Sequence, residues 1–188
     1  MYKVHMKEND MTKTKEFIEM NKMVQHLARE QDVCYPEPLK KKHFLRVVKK
    51  LFAQEEYEAL VFMLIQWATA ARPFCVYQLR PTNVVFGKKD GISVLFQKGK
   101  GVTMRQSPYT VHTTVPHYSE MLIHFVEDRM GETALFSTPY NNLCSIVRNA
   151  MRKYNPEYEM RSPRRGSLCC MARKNVSLDV LRQFSGHT

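Results

Sequence analysis

The apolar positions change period along the chain, and each change marks a predicted element. Up to Gln31 the text is polar and charged, with weak helical spacing through Phe17, Met20, Met23, Val24 and Leu27. Cys34-Tyr35-Pro36-Glu37-Pro38 reads as a linker, because its two prolines resist helix and strand alike. An amphipathic helix is then predicted from Lys40 to about Ala53. Its apolar face is Phe44, Leu45, Val48, Leu51 and Phe52, with Lys41, Lys42, Arg46, Lys49 and Lys50 mostly elsewhere. The next helix, from about Glu55 to Ala70, is apolar nearly all round after Leu60, the pattern of a central core helix.

Strand text begins near Asn83. Asn83 to Phe86 and Ile92 to Phe96 flank Gly87-Lys88-Lys89-Asp90-Gly91, a hairpin signal. Gln97-Lys98-Gly99-Lys100-Gly101 reads as a second turn, and a third strand is predicted from Tyr109 to Val115. Helical spacing then returns. Pro116 precedes a helix through Met121, Leu122, Phe125 and Val126, stopped by Gly131. Asn141 or Asn142 is expected to cap the next, which carries Leu143, Ile146, Val147, Ala150, Met151 and Tyr154. Ser162-Pro163 signals a helix start, with the serine as cap and the proline in the first turn. Ser177 opens a last short helix through Leu178, Leu181 and Phe184, closed by Gly186. Helices, a small antiparallel sheet, then more helices predict an α+β fold that is mainly α.

Composition adds a partner class. The chain has 188 residues, enough for one domain with extra segments, and 44% of them are hydrophobic. Lys and Arg number 29 against 18 Asp and Glu, giving a formal net charge of +11. So large an excess points to a polyanion, of which nucleic acid is the commonest. The longest apolar run, Ala59 to Ala71, is interrupted by Gln66 and is too short to span a bilayer. The opening MYKVHMKEND has no apolar stretch of signal-peptide type. No membrane partner is expected. The five cysteines, Cys34, Cys75, Cys144, Cys169 and Cys170, form no CxxC pair and read as free thiols in a reducing, intracellular compartment. The adjacent Cys169 and Cys170 suit a buried helix better than a metal site.

Three basic segments carry candidate chemistry. In Trp67-Ala68-Thr69-Ala70-Ala71-Arg72-Pro73 the proline disfavours helix at the residue before it, so Arg72 is expected at a helix terminus. Lys98 and Lys100 lie in the glycine-rich turn. Arg161-Ser162-Pro163-Arg164-Arg165 places Arg164 in the first turn of a helix, where the dipole favours anions over cations. An arginine set against the dipole suggests an anionic ligand, and phosphate gains from both the guanidinium fork and the helix N-terminus. Gly186-His187 follows at the end of the last helix. Singly, each segment reads as an ordinary solvated surface; the set is more specific than its members.

Together these segments resemble the tyrosine recombinase (phage integrase) family, over roughly residues 36–188. Thr69-Ala70-Ala71-Arg72 matches the family's Thr-Gly-x-Arg, with alanine replacing glycine. Lys98 or Lys100 matches its β-turn lysine, with Lys98 slightly preferred. Arg161-Ser162-Pro163-Arg164 matches His-x-x-Arg with arginine in place of histidine, and Gly186-His187 matches its Gly-His. Cys75 stands at a position that is often acidic in the family. The resemblance implies a helical catalytic domain with a small antiparallel sheet. It implies DNA cleavage and rejoining through a 3′-phosphotyrosyl link, with no cofactor and no metal. Arg72 and Arg164 would clamp the non-bridging phosphate oxygens. Lys98 or Lys100 would protonate the 5′-oxygen, His187 would donate to the phosphate or help place the tyrosine, and Arg161 would add a phosphate contact. Lys41, Lys42, Arg46, Lys49, Arg165, Arg173 and Lys174 are expected along the DNA backbone.

The resemblance further implies double-stranded DNA and other recombinase protomers as partners, and a mobile-element setting of integration or transposition. Location follows as nucleus in a eukaryote, otherwise cytoplasm or nucleoid. Residues 1–35 would be a helix and linker, the remnant of an upstream DNA-clamping domain. No tyrosine lies in the nucleophile's place, so the expectation is a chain ending short of that residue and inactive alone. The alternatives are a non-cleaving DNA-binding protein on the same fold, and an unrelated basic helical adaptor whose arginines would be scattered in space.

Overall fold

A helix that is apolar on every side is stable only inside, and the described chain is built around one. The computed structural model describes residues 36–98, 107–115 and 117–185. In chain order the helices and strands are α1 (Lys41–Ala53), α2 (Tyr57–Thr69), α3 (Pro73–Tyr77), β1 (Val84–Phe86), β2 (Gly91–Phe96), β3 (Tyr109–Thr114), α4 (Ser119–Glu127), α5 (Tyr140–Arg152), α6 (Ser162–Ala172) and α7 (Leu178–Ser185). A 3-10 turn, Pro81–Asn83, precedes β1. This is the mainly helical α+β architecture that the periodicity predicts. The weak helical spacing before Gln31, and Lys100, Gly186 and His187, lie outside the described residues.

Helix α2 buries every residue from Ala59 to Gln66, with Ala68 and Thr69. It packs against α1, α3, α4, α5, α6 and β3. Its one long polar residue that is fully buried, Gln66, is accommodated because Nε2 donates to the Met160 carbonyl at 2.8 Å. Helix α1 lays Phe44, Val47, Val48 and Leu51 against the core. Phe52, assigned to that face from its spacing, is instead exposed and meets the rings of Tyr57 and Tyr118. Helix α2 begins two residues later than expected, after Glu55 turns through a left-handed φ of 58°.

The sheet is a β1-β2-β3 meander, antiparallel throughout. Val84 pairs with Val94, and Val94 with Val111, so one buried column crosses all three strands. The β1–β2 turn closes with Gly87 N–H donating to the Gly91 carbonyl at 2.8 Å.

Local punctuation differs from expectation at two helix starts. Helix α5 starts at Tyr140 after Pro139, with no side-chain cap, so neither Asn141 nor Asn142 serves as cap. Ser162 is the first helical residue of α6, not its cap; its Oγ accepts from the Glu159 N–H at 2.9 Å. Ser177 does precede α7, its Oγ 3.4 Å from the Val180 nitrogen. Cys169 and Cys170 lie on α6 but are only half-buried, because that part of the helix edges an open cleft. Helix α4 stops at Glu127, ahead of Gly131, whose φ of 104° closes the following turn.

Two contacts hold distant segments to this frame. Glu58 on α2 accepts from Ser137 Oγ at 2.5 Å, Ser137 N at 3.1 Å and Thr138 N at 2.8 Å. Burial, the largest single influence, works against its charge, yet those hydrogen bonds together hold the carboxyl below its usual value. A group with a depressed folded pKa contributes stability above its unfolded value, and that contribution is lost as pH falls through the folded one. The Glu58→Gln variant should therefore be less stable than the parent at neutral pH. Urea unfolding should show the difference shrinking as pH drops below about 4.

The second contact is the crossing of α6 by the segment 36–39. Leu39 N–H donates to the Ser162 carbonyl at 3.0 Å, and Arg165 Nη1 to the Pro36 carbonyl at 2.7 Å. The crossing is so close that a Cβ on Gly166 would lie 2.1 Å from the Leu39 carbonyl oxygen and 2.8 Å from the Trp67 ring. Gly166→Ala is expected to destabilise the fold by about 1–3 kcal/mol or more, read from the shift in denaturation midpoint, although alanine is the better helix former.

Candidate phosphate-binding site

The site is assembled where α2 stops. Thr69 Oγ1 donates back to the Ile65 carbonyl at 2.7 Å and accepts from the Ala71 N–H at 3.3 Å, so one hydroxyl finishes the helix and starts the exit. Ala70 then adopts a left-handed conformation, φ 47° and ψ 29°. Arg72 is extended, with ψ 146°, as a residue before proline prefers, and it leads into α3 with Pro73 in the first turn. Arg72 is thus at a helix terminus, but of the following helix.

Arg164 arrives from α6, whose first turn holds it as the third helical residue after Ser162 and Pro163. It is 9% exposed, and Nη1 donates to the Ala70 carbonyl. Burial first, and then the charge of Arg72, bring the Arg164 guanidinium down to about 10; the Tyr109 phenol and Cys75 thiol act the other way. Arg72 and Arg164 therefore lie within electrostatic reach of each other, with Tyr109 and Cys75 beside them. Two neighbouring guanidinium groups repel, and an anion placed between them removes that repulsion while accepting from both.

The remaining candidates divide. Arg161 is exposed just ahead of α6, its carbonyl accepting from the Arg165 N–H at 3.2 Å. Lys98 is exposed after β2 and lines a cleft with Phe74, Tyr77, Gln78, Arg80 and Thr133. Lys41, Lys42, Arg46 and Lys49 are exposed on α1, and Arg173 and Lys174 just after α6. Lys41 and Lys174 border one cavity, beside His117 and Trp67. Arg165 is half-buried and committed to the Pro36 carbonyl, a fold contact that its basic context in the sequence does not disclose. No group of three or more His, Cys, Asp and Glu side chains is placed to hold a metal among the described residues.

Tyr109 was visible only as the start of a strand. The signal for it lies in the pairing: Tyr109 sits opposite Phe96 and stacks on it at 5.1 Å, two residues before Lys98. Cross-strand register thus connects the lysine-bearing end of the sheet to Arg164.

No protein-family model and no curated protein matches the chain. Solved structures do. XerH site-specific recombinase bound to its difH substrate, in a pre-cleavage complex, superposes with a TM-score of 0.65 at 17% identity, over 81% of this chain and 47% of that one. XerH on palindromic difH, in a post-cleavage complex, gives 0.62 at 14% identity over the same shares. The fold is that of a tyrosine recombinase catalytic domain. The chain spans about half the length of those solved chains. The likeness is one of fold, with few residues identical.

Alanine at position 70 has a measurable consequence. The motif that Thr69-Ala70-Ala71-Arg72 resembles has glycine there, and a left-handed alanine costs roughly 1–2 kcal/mol that glycine avoids. Ala70→Gly should raise the thermal midpoint, net of the greater entropy of the unfolded glycine chain. A lower midpoint in calorimetry would show that Ala70 contributes packing outweighing its backbone strain.

Proposed function

We propose that this chain is the phosphate-binding part of a DNA strand-transfer enzyme, cutting and rejoining DNA through a 3′-phosphotyrosyl intermediate. The observation that carries the reading is the gathering of Arg72 and Arg164, from opposite halves of the sequence, at the end of one buried helix. Its support is the likeness of fold to recombinases solved on DNA.

Each residue has a physical task on this reading. Arg72 and Arg164 take the two non-bridging oxygens of one phosphodiester and stabilise the charge that grows when phosphorus becomes pentacoordinate. Lys98 or Lys100 delivers a proton to the 5′-oxygen as it leaves. His187 and Arg161 add hydrogen bonds to the phosphate. Helix α1 and the residues after α6 follow the duplex backbone from either side of the cavity they border. Double-stranded DNA is the partner, with further protomers on it, and integration or transposition of a mobile element is the setting. A non-cleaving DNA-binding protein is the second reading. It is favoured by Arg161, since an arginine cannot exchange protons as the family's histidine can. A covalent adduct between the full-length protein and a nicked duplex, surviving denaturation, is expected of the first reading and not of the second.

The phosphate site itself is tested by binding. Arg72→Ala should weaken affinity for a short duplex roughly tenfold or more, measured by fluorescence anisotropy at low salt, with the thermal midpoint nearly unchanged. Arg164→Ala should weaken it similarly but also lower the midpoint, because it deprives the Ala70 carbonyl of its donor. Affinity of the parent should fall steeply with salt. An Arg72→Ala variant that binds duplex as tightly as the parent sinks the reading.

A further inference from the structure

The cleft that Lys98 lines is unlike the rest of the basic surface. It has a volume of about 290 Å³ and is walled by Phe74, Tyr77 and Gln78 of α3 and its end, by Arg80, and by Thr133. Phe74 is 50% exposed, while its neighbours Tyr77 and Tyr140 are half-buried and Phe136 is buried. Behind it stands a ring assembly: Tyr140 meets Phe74 edge-to-face at 5.4 Å, Tyr77 lies 6.5 Å away, and Phe136 stacks on Tyr77 at 6.3 Å. Burial pushes the Tyr140 phenol up to about 12, so that support stays neutral. The Leu135 N–H donates to the Leu79 carbonyl at 2.9 Å and fixes the opposite wall.

Three features define what fits. A half-exposed aromatic ring, held from behind, is a stacking platform. Arg80 and Lys98, both exposed, make the rim cationic. Gln78 also lines the cleft, and its buried Oε1 has no hydrogen-bond partner among the described residues. A planar, hydrogen-bonding ring attached to an anion meets all three. The volume is at the lower edge of small-molecule sites, about 300–1,000 Å³, which suits one ring system and not a peptide helix about 10–12 Å across. Phe74 is two residues from Arg72, at most about 7 Å of chain. The cleft wall therefore follows directly along the chain from the arginine of the candidate phosphate site.

We propose that the cleft takes one unstacked nucleotide of the DNA strand beside the clamped phosphate, its base on Phe74 and its phosphate against Arg80 or Lys98. This rests on the reading of Arg72 and Arg164 as a DNA phosphate site. It makes the substrate a duplex opened locally at the point of exchange.

The test compares an intact duplex with the same duplex carrying one unpaired 2-aminopurine, by anisotropy and by the fluorescence of that base. The parent should bind the unpaired probe more tightly, roughly five- to hundredfold, and quench its emission. Phe74→Ala should abolish preference and quenching while intact-duplex affinity is kept. Phe74→Trp should retain both, and Arg80→Ala should weaken the unpaired probe more than the intact one, which covers a Phe74→Ala protein that does not fold. Equal affinity of the parent for both probes, or full quenching by Phe74→Ala, overturns the cleft proposal alone when Arg72→Ala still weakens binding. An Arg72→Ala variant with unchanged affinity for both probes removes the phosphate site, and this inference with it.

Discussion

The hydrogen bond from Arg164 to the Ala70 carbonyl joins two needs that neither helix meets alone. The end of α2 leaves backbone carbonyls without intrahelical partners, and this end is buried, where an orphaned carbonyl costs free energy comparable to a lost hydrogen bond. A guanidinium buried in the first turn of α6 is equally costly without an acceptor, since both burial and the helix dipole oppose its charge. Each supplies what the other lacks. Because Arg72 follows Ala70 by two residues, the same bond sets the spacing between the two arginines. Geometry at the candidate site is thus fixed by backbone, not by the flexible surface.

That arrangement depends on how closely α6 approaches its neighbours. Gly166 lets the segment at Leu39 cross α6 in near contact, and Gln66 reaches from α2 to the Met160 carbonyl just ahead of α6. These contacts press α6 onto α2 on both sides of Arg164. Looser packing would let the arginine head swing, and the phosphate clamp proposed for it would tolerate little displacement.

Periodicity made the architecture legible. Helix α2 announces itself as a core helix because from Ala59 to Ala68 nothing polar interrupts it except Gln66, and the hairpin because Gly87 and Gly91 bracket a charged tip. Arg72 and Arg164 were legible for local reasons as well: a proline restricts one, and the dipole penalises the other. What periodicity cannot convey is set by neighbours distant in sequence. Phe52 fits the apolar face of α1 by spacing, yet in the fold it meets the rings of Tyr57 and Tyr118 and stays exposed. Ser162 has the chemistry of a cap but turns to Glu159, and Arg161 precedes the helix instead. The left-handed bend at Ala70 carries no glycine to betray it. Tyr109 gained significance only through its pairing with Phe96.

Burial sorts the cations into those that build the fold and those left for a partner. Arg165 closes the crossing at Pro36, Arg129 lies 3.4 Å from Glu58 and over the Phe125 ring, and Arg148 pairs with Glu159 at 3.0 Å. None of these is spare. Lys41, Lys42, Arg46 and Lys49 on α1, with Arg173 and Lys174 after α6, are exposed. Arg164 is buried with one of its nitrogens committed to the Ala70 carbonyl, and Arg72 stands close enough to perturb its charge. A long, flexible lysine head at this position would keep the charge but lose the fork, which on the proposed reading holds a backbone carbonyl and a phosphate oxygen at once. The chemistry assigned to Arg164 and the stability of the end of α2 are therefore two uses of one guanidinium group.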